Sequence, residues 1–512
     1  MMFKKILFLL TILKVNSVCS SRILAVFPNS NPSHHNFFKP IINALIDRGH
    51  QLVVITGISG YKNDENAEFV TEIDIQNLSK TAWADTMKDI TVDNSLYNQR
   101  KKAAGISYIV AEKILNVPEM QDLLNDKDQK FDMIIVECYQ RPFYYLSLKF
   151  KAALVLISSV GPMLGEYVGI SDHWILYPDM MRRKYNNLTI WDNVLDIYNN
   201  IKIVQLRNEQ DEWIKSMVEK IDGHAPNMKV LYDSVDLMIV NEHKTWDFNR
   251  PVPLSMVYLY GTLIKPRSEI SKDITAFIDS SPNGVIYLSF GTSVSECQLP
   301  QDKLQIMLKV FSELPYNVLW KWGDDLPGKP QNVLVRKWFD QANILKHPKI
   351  KLFITQGGVQ SIEESIEAAV PMLGLPIVFD QLGNVDKMVR FGFGKKLDIF
   401  TMTEDEFRDA VNTLIDNKSY RQNVEKIRTL FLDLPQKPLE RAVWCIETIL
   451  RHGGRHLRSP AANLPWTEYY EVDLFLSILI VLLVLIVIVI MLVRRLQKFI
   501  YEVFRTDRVK SY

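Results

Sequence analysis

The chain has 512 residues, 47% of them apolar and 23% charged, with a formal net charge of +1. That length exceeds what one hydrophobic core usually organises and predicts two domains of about 200 residues each. The near-neutral charge, with no long basic block in the body, excludes an electrostatic footprint for nucleic acid, and no nucleic-acid partner is expected.

At the N-terminus, Lys4 and Lys5 precede an apolar run from Ile6 to Leu13 and small residues from Ser17 to Ser21. This is the pattern of a signal peptide over residues 1–20; the run is too short for a membrane span. Next, Ile23–Phe27 reads as a buried strand, residues 28–36 as a polar loop, and Phe37, Phe38, Ile41, Ile42 and Leu45 as a helix stopped by Gly49, before a strand at Leu52–Ile55. A βαβ unit of this kind builds a parallel sheet with its site at the carboxyl ends of the strands. It has no G-x-G-x-x-G, so a dinucleotide fingerprint is absent. Further buried strands are predicted at Phe131–Cys138 and Ala153–Ser158, with irregular helical sequence up to about residue 245.

The proline-rich segment 246–270 reads as a linker. Strands then resume at Val285–Gly291, Asn317–Trp322, Val333–Trp338, Leu352–Thr355 and Met372–Pro376, separated mostly by helix-length stretches. The expected architecture is α/β, with domains at 21–245 and 271–455 and a juxtamembrane segment at 456–473. Leu474–Val493 is apolar and uncharged, matching the roughly 20 residues a transmembrane helix needs. Arg494, Arg495 and Lys498 follow it, so the positive-inside rule places the tail 494–512 in the cytosol and the body on the lumenal side. The four cysteines, Cys19, Cys138, Cys297 and Cys445, have no metal spacing and allow one disulfide after signal removal. Sequons at Asn77, Asn187 and Asn417 suit a lumenal protein.

The chemistry concentrates in TQGGVQSIEESIEAAVPMLGLPIVFDQLGN, residues 355–384. Gly357 and Gly358 sit between a strand and a helix, where backbone can approach a ligand and free N–H groups favour phosphate. Gln360 and Glu364 share one face of that helix, and Glu364 could accept from two ribose hydroxyls. Asp380 and Gln381 follow the next strand and so reach the same rim. Histidine suits the removal of a proton from an attacking hydroxyl, and on spacing alone His34 and His35 are equal candidates. Asp126-Lys127-Asp128 reads as a solvated loop, and no metal is expected.

The 355–384 segment resembles the nucleotide-sugar signature of the membrane-bound UDP-glycosyltransferases, in particular their invertebrate members. SHHNFFKPIINALIDRGH, YLSFGTSVS, VRKWFDQANILKHPKIKLFIT and RHLRSPAANLPWTEYYEVD match further family blocks. The stretch from about Tyr61 to Tyr232 matches poorly, and in this family it shapes the acceptor pocket.

The resemblance implies a GT-B fold of two tandem Rossmann-like domains facing a cleft. It implies that Trp338 stacks on uracil, Gln341 bonds its edge and Glu364 holds the ribose. Thr292, Gln356, Gln360 and the backbone at Gly357 and Gly358 would meet the diphosphate, and Asp380 and Gln381 the sugar. Matching Ser33-His34 to the family's Ser-His pair selects His34 as base, oriented by Glu137 where the family has Asp. Two more departures are Gln356 in place of the usual His, and Lys321 where vertebrate relatives often have Arg.

The implied activity is inverting transfer of a hexosyl group from a UDP-sugar, a co-substrate rather than a cofactor, to a small lipophilic acceptor. UDP-glucose is the expected donor and UDP-glucuronic acid the alternative; a membrane-anchored binding homologue without turnover is the other reading. The expected place is the endoplasmic reticulum membrane, single-pass, and a homo-oligomer is compatible with the sequence.

Overall fold

The computed structural model describes residues 20–63, 65–87, 96–170, 176–182, 184–261, 269–292, 299–323 and 326–509. Residues 1–19 of the expected signal peptide 1–20, with Cys19, lie outside them, as does Cys297.

The first half forms a seven-stranded parallel sheet. Its strands are β1 (Arg22–Phe27), β2 (Gln51–Thr56), β3 (Val70–Asp74), β4 (Met133–Glu137), β5 (Ala153–Ser158), β6 (Val235–Val240) and β7 (Met256–Tyr258), in the spatial order β3-β2-β1-β4-β5-β6-β7. The second half forms a six-stranded parallel sheet from β8 (Val285–Ser289), β9 (Asn317–Lys321), β10 (Val333–Arg336), β11 (Ile350–Thr355), β12 (Met372–Gly374) and β13 (Gly394–Lys396), in the order β10-β9-β8-β11-β12-β13. Both orders reverse after the first strand. The crevices between β1 and β4 and between β8 and β11 are therefore where doubly wound sheets bind ligands.

The central strands carry continuous apolar sequence because helices cover both faces of each sheet. In β1, Ile23 and Ala25 join one core while Leu24 and Val26 join the core on the other face. The segment expected to be a linker departs from that reading at Met256–Tyr258, which pairs with β6 as an edge strand. Proline is tolerated beside such an edge, so the prolines around it did not forbid pairing.

The loop expected at Ser33-His34 is the first turn of a helix, Pro32–Ile46. Asn31 caps it and Pro32 occupies its start, where a missing N–H costs nothing, so the helix begins one turn before its apolar stripe.

Helix Pro438–His452 crosses back from the second half to the first sheet. Ala442, Val443, Ile446 and Ile449 join the core around Phe37, Ile41 and Leu45, and Glu447 pairs with Arg48 at 2.9 Å. The last helix, Val472–Val509, contains a stretch, Val472–Glu502, long and apolar enough to cross a membrane, and it continues through Arg494, Arg495 and Lys498 of the expected tail. Cys138 and Cys445 are both buried and free, and Asn77, Asn187 and Asn417 are all exposed.

Candidate active site

His34 lies in the helix turn after β1 and Glu137 ends β4, the two strands that flank the first crevice. Glu137 is fully buried, and its Oε1 lies 2.5 Å from Nδ1 of His34. The carboxylate thereby fixes the proton on Nδ1 and leaves Nε2 as the basic nitrogen. Three residues absent from the sequence-based set complete the cluster. The Tyr139 hydroxyl donates to Glu137 Oε1 at 2.7 Å, Asn29 donates to that hydroxyl, and Ser159 Oγ lies 2.8 Å from His34 Nδ1. Asn29, Tyr139 and Ser159 follow β1, β4 and β5, so their one sequence signal was position just beyond a buried strand.

His35 is differently placed. Its Nδ1 contacts the Tyr61 hydroxyl at 2.9 Å and its Nε2 the Asn29 carbonyl oxygen at 2.5 Å. Burial pushes its pKa down to about 4. With both nitrogens engaged in the core, His35 has neither a free lone pair nor access to a cleft. The equality that spacing left between the two histidines is broken by the geometry.

Two cavities meet at His34. The first, of about 240 Å³, lies mainly in the first half, closed by Phe379, Asp380, Gln381 and Lys387 of the second, and mixes apolar side chains such as Trp83, Ile106, Met163 and Leu206 with charged ones such as Arg100, Arg141 and Asp179. The second, of about 650 Å³, opens between the halves. It is lined by Thr292, Lys321, Trp338, Gln341, Gln356, Gly358, Gln360, Glu364, Asp380 and Gln381, which is every predicted donor-site residue except Gly357. His34, Val160, Asp380 and Gln381 border both.

Gly357 shapes the second crevice from behind. Its φ is +89°, and a Cβ there would lie 2.3 Å from Val385 Cγ2, so only glycine fits. Gly358 then caps helix Val359–Ala368, whose first free N–H groups face the cavity. On that helix Glu364 accepts from Gln341 Nε2 at 2.7 Å, and Gln341 Oε1 accepts from the Tyr287 hydroxyl at 3.2 Å. Trp338 is 64% exposed and presents its ring to the cavity, with Lys321 Nζ 4.8 Å from its centroid. Lys321 also donates to the Gly291 carbonyl at 2.6 Å. The Gln356 amide packs over the same turn, on the side of Gly291 where a Cβ would stand.

Asp380 accepts from Asn384 Nδ2 at 2.6 Å, and burial raises its pKa. Gln381 is pinned by its Oε1, which accepts from the N–H groups of Ile377 and Val378 at 3.0 Å each; its Nε2 remains for a ligand. Two predicted diphosphate contacts instead tie the halves together. Thr292 Oγ1 donates to Asn31 Oδ1 at 2.8 Å, and Gln360 Nε2 donates to the Ser33 carbonyl. Both ties end on the helix turn that carries His34. Deeper in the interface, Lys387 pairs with the buried Glu242 at 3.0 Å.

Two facing doubly wound sheets with a polar cleft between them define a GT-B glycosyltransferase. Solved structures share that fold: the glycotransferase of kitacinnamycin superposes with a TM-score of 0.57 at 16% identity, covering 84% of this chain and 99% of that one. CalG4, the calicheamicin glycosyltransferase, gives 0.55 at 15%, covering 85% and 99%.

Residues 22–509 match the family described as UDP-glucoronosyl and UDP-glucosyl transferase, and the chain belongs to it. An ecdysteroid UDP-glucosyltransferase of Spodoptera littoralis nuclear polyhedrosis virus is 31% identical over 93% of this chain and 97% of its own length. A UDP-glycosyltransferase, UGT4, of Dactylopius coccus is 27% identical over 93% and 95%. The protein is a UDP-glycosyltransferase, similar to viral and insect members of that family, and transfer of sugar from a UDP-sugar is its class of reaction.

Proposed function

We propose that the chain is a membrane-anchored inverting glucosyltransferase, taking glucose from UDP-glucose to a hydroxyl of a small lipophilic acceptor such as a steroid or phenol. The observation that carries this reading is the junction: a histidine with an oriented imidazole stands where a partly apolar cavity meets a cleft built for a nucleotide sugar. The names of the similar viral proteins favour glucose as the sugar and a steroid among the acceptors. UDP-glucuronic acid remains the other donor to test.

In this reading the acceptor lies in the first cavity with its hydroxyl at His34 Nε2. As the acceptor oxygen attacks the anomeric carbon, Nε2 takes its proton. The bond from that carbon to the UDP oxygen breaks, and UDP leaves with the electron pair. Attack from the face opposite UDP converts an α-linked donor into a β-linked product. Glu137 holds Nδ1–H and stabilises the imidazolium as it forms.

Trp338 stacks on uracil, Gln341 serves its edge, and Glu364 accepts from the ribose hydroxyls. Lys321 supplies a cation beside the uracil platform. Thr292, Gln356, Gln360 and the helix start at Gly358 receive the diphosphate, exchanging the two ties to Asn31 and Ser33 for phosphate oxygens. Asp380 and Gln381 hold sugar hydroxyls, and the chemistry needs no metal or cofactor. The C-terminal helix anchors the chain in the endoplasmic reticulum membrane with both domains in the lumen, reached through the N-terminal signal. Detoxification or metabolite conjugation is the role.

The test is to express the full chain in microsomes with UDP-glucose and a panel of phenols and steroids, beside His34→Ala. Transfer by the native chain that vanishes in the variant is the expected result. Transfer that survives the substitution overturns His34 as the base, and transfer from UDP-glucuronic acid alone overturns glucose as the sugar.

A further inference from the structure

Helix Ile190–Asp222 carries apolar side chains both inward and outward. Ile203 and Leu206 point inward and line the first cavity. On the outside, Ile190, Val194, Ile197, Ile201 and Val204 recur at intervals of three and four residues, and all are exposed, Ile190 by 80%. Trp191, Leu195 and Tyr198 widen the stripe, Trp191 being 78% exposed. A stripe of this breadth turned away from the core normally has an occupant. Its acidic residues are neutralised locally: Asp192 pairs with Lys184 at 3.0 Å and Asp196 with Arg182.

The fold connects this helix to the membrane-crossing segment. One turn beyond Val204, Arg207 pairs with Glu166. The Glu166 carbonyl accepts from the Asn463 N–H at 2.9 Å, and Gly169 packs so closely on Ser459 that a Cβ would lie 2.5 Å from it. The segment that leads into the terminal helix is thereby seated beside helix Ile190–Asp222. It exposes Leu464, Trp466, Tyr469 and Tyr470 directly before Val472, the aromatic composition of a membrane interface.

We propose that the outer stripe of helix Ile190–Val204 lies on the lipid surface of the membrane that holds the terminal helix. The helix is then a wall between lipid and the first cavity, to which it gives Ile203 and Leu206 beside Asn200, Arg207 and Gln210. Amphipathic helices bind interfaces in this way, with the apolar face sunk at the headgroup boundary. A membrane is favoured over a second copy as occupant because the anchor keeps the stripe within reach of lipid and an aromatic girdle adjoins it. The inference rests on reading Val472–Glu502 as a membrane span, and the experiment separates the two.

The full-length chain, carrying Cys297→Ser, is reconstituted in phosphatidylcholine vesicles with single cysteines for an environment-sensitive fluorophore. Labels at Val194→Cys, Ile197→Cys and Ile201→Cys are compared with Leu485→Cys in the terminal helix and Asp302→Cys on the second half. Cys138 and Cys445 are buried and do not compete for the label.

With nitroxide-bearing lipids, the three stripe labels are expected to lose most of their fluorescence and to resist quenching by iodide, while Asp302→Cys behaves oppositely. A quenched label at Leu485 with unquenched stripe labels overturns the inference and leaves the anchor intact. An unquenched label at Leu485 overturns the anchor itself. Stripe labels shielded from iodide but untouched by nitroxide lipid mean that a second copy covers the stripe, which also overturns the proposal, as does equal quenching at Asp302.

Discussion

Replacing Glu137 by Gln isolates the charge behind the base. The amide keeps the shape and an acceptor for His34 Nδ1 and the Tyr139 hydroxyl, which lie 2.5 and 2.7 Å from Glu137 Oε1. What disappears is the negative charge that the imidazolium meets when Nε2 takes a proton. Two unit charges at about 4 Å with an effective dielectric near 20 attract by about 4 kcal/mol. A proton only partly transferred in the transition state realises part of that sum, and about 1.4 kcal/mol corresponds to a tenfold rate. A loss in kcat on the order of 10²- to 10³-fold is therefore expected, with KM for UDP-glucose little changed. Glu137 Oε2 has no hydrogen-bond partner among the described residues. The new amide N–H₂ is stranded there, so a stability loss of about 1–3 kcal/mol should accompany the kinetic effect. The assay is initial-rate kinetics on native, Glu137→Gln and Glu137→Asp enzymes, with thermal unfolding in parallel. The aspartate keeps the charge and should lose less than the amide. A drop under tenfold for Glu137→Gln, or one carried by donor KM, would refute the assignment.

Three further substitutions probe separate parts of the fold. Trp338→Ala removes an exposed platform that no core packing depends on. It should weaken UDP by about 1–3 kcal/mol, the worth of one base stack, in calorimetric titration with no fall in melting temperature. Gly357→Ala forces a side chain into a positive-φ site 2.3 Å from Val385 Cγ2, so melting temperature and UDP affinity should fall together. Glu363 is buried against Gly261 N–H at 2.8 Å, and burial raises its pKa from 4.5 to about 8. Between those values the unfolded chain releases a proton that the folded chain keeps, so stability drains away as pH rises from 4.5 to 8. Glu363→Gln should escape that loss, and its melting temperature should gain on the native enzyme across the interval; a constant difference would contradict the burial argument.

Most strands read correctly from sequence are buried on both faces, as the continuous run MIIVE in β4 is, with the edge strand β10 the exception. The missed ones are β3, β6, β7 and β13; β6 (Val235–Val240) is an interior strand whose VDLMIV is almost wholly buried, and it fell within a stretch read as irregular helical sequence. β3 reads VTEID, β7 is three residues among prolines, and β13 is GKK, so half-buried or short pairing left no apolar run to see. The return of helix Pro438–His452 to the first sheet was equally invisible, because its stripe looks the same whichever core it meets. The cleft between the halves was legible because its residues cluster in a few local motifs at strand ends. The cluster around His34 was legible only in part. Asn29, Tyr139 and Ser159 converge on it from three separate segments, and nothing in their neighbours' spacing brings them together before the chain folds.

The three departures from the family pattern bear on whether such a cleft can still turn over. Glu137 is one methylene longer than the usual aspartate, yet its carboxylate reaches His34 because Tyr139, two residues on, grips the same oxygen and holds the arm. Lys321 lacks the fork of arginine, but its single ammonium finds both the Gly291 carbonyl and the Trp338 face. Gln356 brings no charge, and its amide is laid against the same glycine turn, with its Oε1 accepting from Thr355 Oγ1 at 3.1 Å. Each altered side chain is thus met by neighbours that position it, even though Glu137 Oε2 has no hydrogen-bond partner among the described residues. Under the proposed roles, the base, platform and phosphate turn are all kept, each fitted around a different side chain.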